Sequence, residues 1–256
     1  MAVERIIQII QEQGEDAIRS VCEEFKLKMF SQAEIAFLRE FCSVMRPVVK
    51  ALNILQSKTN THLGWLLPVI FELQSKLRRQ EESTKMCLPL IRAIQQGVQK
   101  RFGVMMEDPE LISAAILLPK FKTGWTEKAD PIEEGLLYVR HHLDQMAETE
   151  MKQGQGPGQH SSDEEDFFAS MKTRRSEGRG ELEGYLACVS ESIDLLNSFP
   201  KIKKLSLKLN TGLPASAACE RLFSSAGLLF TAKTAWISAT NFENQLLLKL
   251  NKSFSV

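Results

Sequence analysis

The sequence predicts a mainly α-helical chain. Three observations carry this prediction. Apolar residues recur at helical rather than alternating spacing over most of the 256 residues, capping signatures precede apolar runs, and prolines punctuate them. The apolar content of 43% supports a sizeable core, and the length allows one large or two ordinary domains. The 32 basic and 32 acidic residues balance to a formal net charge of +0, which argues against a whole-chain attraction to nucleic acid. Charged residues interrupt every apolar run before the roughly 20 residues that span a bilayer. The opening MAVERIIQIIQEQ carries charge through its apolar stretch, so no secretory signal and no membrane partner are expected. Cys22, Cys42, Cys87, Cys188 and Cys219 are scattered without CxxC spacing. They predict buried thiols in a reducing compartment and no zinc site.

The elements follow in order. Ser31-Gln-Ala-Glu34 is a capping box, in which the Ser hydroxyl accepts from the N3 amide and the Glu reaches back. Ala36, Phe37, Leu38, Phe41, Val44 and Met45 continue that helix until Pro47, which predicts a kink or restart. Leu63, Leu66, Leu67, Ile70, Leu73 and Leu77 form the next stripe, and residues 85–102 a third helix. Pro109 opens a fourth, with Leu111, Ile112, Ala115 and Ile116 inward, ending at Leu118-Pro119. Another starts near Asp130-Pro131 and carries Leu136, Leu137, Val139 and Leu143.

Residues 154–166, GQGPGQHSSDEED, cannot bury a core and predict a mobile linker. Ser161 and Ser162 precede four acidic residues, a pattern suited to phosphorylation by an acid-directed kinase or simply to a solvated spacer. Helical spacing returns over residues 181–199, and Pro200 is expected to end it. Residues 201–209 are ambiguous, because Leu205, Leu207 and Leu209 alternate as in a strand while the length also allows a helical turn or two. The expected division is therefore 1–150 helical, 151–180 linker and 181–256 C-terminal region.

The last region poses the functional question. In SAACERLFSSAG, residues 216–227, Cys219, Leu222, Phe223 and Ala226 share one helical face, which is expected to be core. Ser216, Glu220, Ser224 and Gly227 share another, a stripe of small residues around one carboxylate. Such a stripe admits close approach by a metal, a phosphate backbone or another chain, and a first-turn carboxylate also simply suits the helix dipole. The closing helix opens on a second expected capping box, Thr240-Asn-Phe-Glu243. Phe242, Leu246, Leu247, Leu248 and Leu250 then wrap more than one side, which suits burial against two partners. Trp65 and Trp125 are read as packing residues with base stacking as the alternative, and His141-His142 as a surface pair.

SAACERLFSSAG, Lys233, Ile237-Ser238 and ATNFENQLLLKLN together resemble the C-terminal dimerisation region of hAT superfamily transposases. A weaker resemblance reaches Arg101-Phe102 and the stretch from Ala114 through Leu118-Pro119 to Trp125, which look like the helical part of vertebrate domesticated hAT proteins. The resemblance implies an all-helical insertion-type domain followed by the C-terminal remnant of an RNase H-like fold. That fold holds divalent metals with two Asp and one Glu, and the resemblance assigns the third carboxylate to Glu220. The chain is expected to begin inside the insertion, without the Asp-bearing strands or a BED-type zinc finger, so Glu220 is expected to be vestigial and the chain not an enzyme. Residues 233–237 carry one Lys where the family tends to be basic, which implies weak nucleic-acid contact. The implied protein is a truncated or domesticated, nuclear, non-catalytic copy. It would form a homodimer, or pair with a related hAT-derived protein, and take no cofactor unless it worked within an intact transposase. The alternatives are a fragment that contributes Glu220 and DNA-end contacts to such a transposase, and a helical adaptor.

Overall fold

A computed structural model describes residues 2–57, 61–153, 177–229 and 237–250. The described residues are helical throughout their regular structure and contain no strand. Helices α1 (Ala2–Gln13) and α2 (Glu15–Glu24) meet at Gly14, whose φ of 83° lies in the left-handed region that glycine occupies without strain. They pack on α3 (Gln32–Leu55) through Ile7, Ile10, Ile18, Cys22, Ile35 and Cys42. The capping box opens α3 as expected: the Glu34 amide donates to the Ser31 hydroxyl and the Ser31 amide to the Glu34 carboxylate at 2.7 Å.

Pro47 neither stops nor restarts α3, which runs on to Leu55. Proline has no N–H for the carbonyl four residues back, here that of Ser43. The Gln80 side chain, from α4 (Leu66–Glu81), donates to that carbonyl instead at 2.9 Å. A substitute donor from the neighbouring helix thus fills the gap and ties α4 to α3. A second tie runs the other way. Glu40 of α3 accepts the amides of Met86 at 2.8 Å and Cys87 at 3.1 Å, capping the start of α5 (Leu88–Phe102). Those amides, Cys87 foremost, hold the Glu40 carboxyl below the ordinary carboxylate range. Val44, Leu77, Cys87 and Ile91 form the small core between these helices.

Helix α6 (Pro109–Ile116) is short; beyond the exposed Pro109 and Glu110 of its first turn, Ile112 to Ile116 are all buried. Asp108 caps it by accepting the Glu110 amide at 2.8 Å. One flank meets Leu66, Leu67 and Ile70 of α4; the other meets α7 (Ala129–Gln153). Gly135 permits the close crossing with α7, since a Cβ there would stand 2.5 Å from Ile112 Cγ2. Ser113 donates to the Gly135 carbonyl at 3.1 Å across the same crossing.

Residues 177–210 join this core. Leu182 and Tyr185 of α8 (Glu177–Ala187), Leu196 of a 3-10 turn (Ile193–Ser198), and Ile202, Leu205 and Leu209 of α9 (Pro200–Asn210) pack with Leu117, Val139 and Leu143. The continuous helix expected over 181–199 is instead broken after Ala187, where the Lys122 ammonium donates to the Cys188 carbonyl. The ambiguity at Leu205, Leu207 and Leu209 resolves to the helical alternative. These residues lie in α9, with Leu205 and Leu209 inward and Leu207 exposed. Pro200 opens that helix rather than closing the one before it, and Glu181 caps it by accepting the Lys201 amide at 2.7 Å and the Ile202 amide at 3.1 Å.

The last carbonyls of α6 are unpaired within a helix that ends there. Side chains from α8 and α9 take them. Tyr185 donates to Ile116 O at 3.1 Å, Ser206 to Leu117 O at 3.1 Å and Asn210 to Ala114 O at 3.0 Å. The Asn210 carbonyl oxygen also accepts the Gly64 amide at 2.8 Å. Burial pushes the Tyr185 hydroxyl above its ordinary pKa, which favours the protonated, donating form.

Candidate association surface

The region singled out by sequence folds as a helical pair, α10 (Ala217–Leu229) and α11 (Ala239–Leu250), which pack on each other. Helix α10 starts where Ser216 predicts. The Glu220 amide donates to the Ser216 carbonyl at 2.9 Å, and the Ser216 hydroxyl donates to the Glu220 carboxylate at 2.8 Å. Glu220 lies in the first turn, exposed, and Ser216, Ser224 and Gly227 are exposed with it. Among the described residues no group of three or more His, Cys, Asp or Glu is placed to hold a metal ion.

The start of α11 differs from the expected capping box. Ser238, not Thr240, precedes the helix, with the Phe242 amide donating to the Ser238 carbonyl at 2.9 Å and the Asn241 amide to its hydroxyl at 3.4 Å. Thr240 is inside the first turn. Ser238 was open to the same capping logic, but Glu243 stands three residues after Thr240 and favours that position in sequence.

The apolar residues of the pair divide into two groups. Leu222, Ala226, Phe242 and Leu246 are half-buried, at helical spacing of four within each helix. Phe223 is 72% exposed, Leu248 74% and Leu247 48%. The face expected to carry Phe223 into the core therefore holds Leu222 and Ala226 while Phe223 turns to solvent. The side chains of Cys219 and Leu250, and all of Ser161, Ser162, Lys233 and Trp236, lie outside the described residues.

Sequence alone missed the role of Arg221. Its guanidinium donates to the Gln56 carbonyl at 3.1 Å, at the C-terminal end of α3. A cation there also meets the negative end of the helix dipole. The contact joins residues 165 positions apart, which no local pattern reveals.

The other residues with two readings are occupied by packing. Trp65 stands edge-on to Phe121 at 4.9 Å with the Lys120 ammonium over its ring, and Trp125 stands edge-on to Phe71 at 5.0 Å. His142 pairs with the Tyr138 carbonyl at 3.0 Å and His141 with Gln145 at 2.9 Å, both within α7. No helix among the described residues is long and apolar enough to cross a membrane. No family model and no curated protein sequence matches the chain.

Proposed function

We propose that the chain is a non-catalytic association module that pairs with a second copy of itself through the α10–α11 pair. The observation that carries this reading is the exposure of Phe223, Leu247 and Leu248 on one small helical pair. Large apolar side chains gathered in one element are the ordinary mark of a protein–protein contact. A symmetric dimer buries such a surface on both copies at once. The resemblance to the dimerisation region of hAT transposases supports the same reading and adds a history: a domesticated, nuclear protein whose C-terminal region descends from an RNase H-like fold. In that reading Glu220 is a vestige of a metal-binding triad.

Exposed Glu220, whose carboxylate accepts from the Ser216 hydroxyl, also favours a second reading. Within a longer transposase it would stand ready to meet two carboxylates from elsewhere, as two-metal chemistry requires.

Light scattering separates these. Self-association predicts a parent mass of about twice 28.9 kDa at tens of micromolar, and a folded monomer for Leu247→Asp with Leu248→Asp. Both leucines are solvent-facing in the single chain, so the double variant keeps its helical circular dichroism. A parent that stays monomeric at that concentration refutes the dimer. Magnesium-dependent DNA nicking by the purified parent, lost in Glu220→Gln, would replace it with the second reading.

A further inference from the structure

The buried stripe of α4 runs through Leu66, Leu67, Ile70 and Leu77, and one polar residue interrupts it. Gln74 is only 8% exposed as a residue, and no described group hydrogen-bonds its amide, whose polar atoms keep the residue's small remaining access to solvent. An amide set in an apolar stripe and left without a protein partner remains available to a ligand that reaches it. Its surroundings leave room for one. Two cavities meet at Gln74 and Arg78, one turn apart on α4. The first, about 260 Å³, lies between α4 and the turn at residues 124–128. The second, about 390 Å³, lies between α4 and α5, where Gln95, Gln96 and Gln99 form the facing wall.

The cleft holds more donors than its own residues satisfy. Arg78, Arg79 and Lys128 line it together with Glu72; among the described residues neither arginine forms an ion pair, while Glu72 is held by Lys76 at 2.9 Å. The Trp125 indole, in the wall of the first cavity, has a buried N–H with no hydrogen-bond partner. We propose that this cleft binds a small oxyanion, a phosphate or carboxylate group on a small body, between the Arg78 guanidinium and the Gln74 amide. A guanidinium offers paired N–H donors in the geometry that such groups accept. The amide adds a neutral donor, and the glutamines of α5 offer uncharged hydrogen bonds to the rest of the ligand. Glu72, Glu81 and Glu127 also line the cleft, which weakens any long-range pull on a polyanion and limits the site to a single charged group. A volume near 260 Å³ lies just below the range for drug-sized ligand pockets, roughly 300–1,000 Å³, and suits a smaller molecule.

The test uses the full chain, labelled with nitrogen-15. Trp125→Phe identifies the Trp125 indole signal, and Gln74→Leu the Gln74 side-chain signals. Inorganic phosphate and sodium acetate are titrated separately, against potassium chloride at matched ionic strength. The expected result is a saturating shift of both signals with phosphate or acetate and none with chloride; whichever ion saturates first names the oxyanion. Arg78→Gln should weaken that binding about tenfold or more, the loss of one charge-assisted contact. Gln74→Leu should abolish it and raise Tm by a few degrees, because an apolar side chain fits the stripe that the amide interrupts. Shifts that chloride reproduces, or binding that survives Arg78→Gln unchanged, would overturn the proposal. So would a lower Tm for Gln74→Leu, which would make the amide a structural group.

Discussion

Helix α6 and the α10–α11 pair are both short, rich in small and apolar residues, and opposite in how they are held. Around α6, Ile112, Ala115, Ile116 and Leu117 are fully buried, and partners from α8 and α9 take its terminal carbonyls. The α10–α11 pair exposes Phe223 and Leu248 and reaches α3 through the Arg221 hydrogen bond. Similar composition thus gives the keystone of a core in one place and an open surface in the other. The difference lies in what surrounds each helix. Stability concentrates where burial and polar pairing coincide, and segments lacking both open at low cost.

The largest contrast is in side-chain truncation. Ile112→Ala should destabilise the fold by about 2–5 kcal/mol, the range for emptying a well-packed core site. Phe223→Ala should change stability by no more than about 0.5 kcal/mol, as expected for a solvent-facing site, while weakening self-association. Denaturant unfolding of both variants measures the first pair of effects, and light scattering the second. Equal destabilisation by the two would show that α10 is packed in the free chain and would abolish the contrast.

A smaller effect probes the polar ties. Asn210→Ala leaves the Gly64 amide and the Ala114 carbonyl unpaired in the core, at a cost of about 3 kcal/mol. Arg221→Ala removes one exposed hydrogen bond and should shift stability by about 0.5 kcal/mol or less. Hydrogen exchange sharpens the comparison: Arg221→Ala should speed exchange in α10 and α11 alone, whereas Asn210→Ala should speed it in α6 and α9.

The smallest effect is a pH dependence within the better-held part of the molecule. The folded Glu40 carboxyl titrates below its unfolded value, so the stability it contributes is present above the unfolded pKa and is lost as pH falls through the folded one. Glu40→Gln should therefore lower Tm at pH 7, and the gap to the parent should narrow as both are acidified. A constant gap across that range would mean that the Glu40 charge does not support the α5 cap.

Much of the helical order was legible because its causes are local. The Ser31–Glu34 capping box, Pro109 at a helix start and the periodic apolar residues of α4 and α7 all act within a few positions, and each appears in the structure where the pattern puts it. Leu205 to Leu209 stayed open because alternating leucines in a short run satisfy either period, and contact with α7 and α8 is what selected the helix. Of the candidate association surface, the sequence revealed the excess of apolar residues but not their division. Helical spacing puts Phe223 beside Leu222, and only the packing of α10 against α11 decides which of them is covered.

By itself, then, the sequence determined the helical class, the apolar stripes and the caps, because capping and periodicity are written in neighbouring residues. Only the tertiary structure decided the pairings across long separations. Gln80 serves the carbonyl that Pro47 leaves vacant, Glu40 and Glu181 cap helices other than their own, Asn210 joins Gly64 to Ala114, and Arg221 finds Gln56. A backbone amide or carbonyl accepts any suitably placed side chain, so nothing in its own neighbourhood names its partner. Proximity created by packing makes that choice.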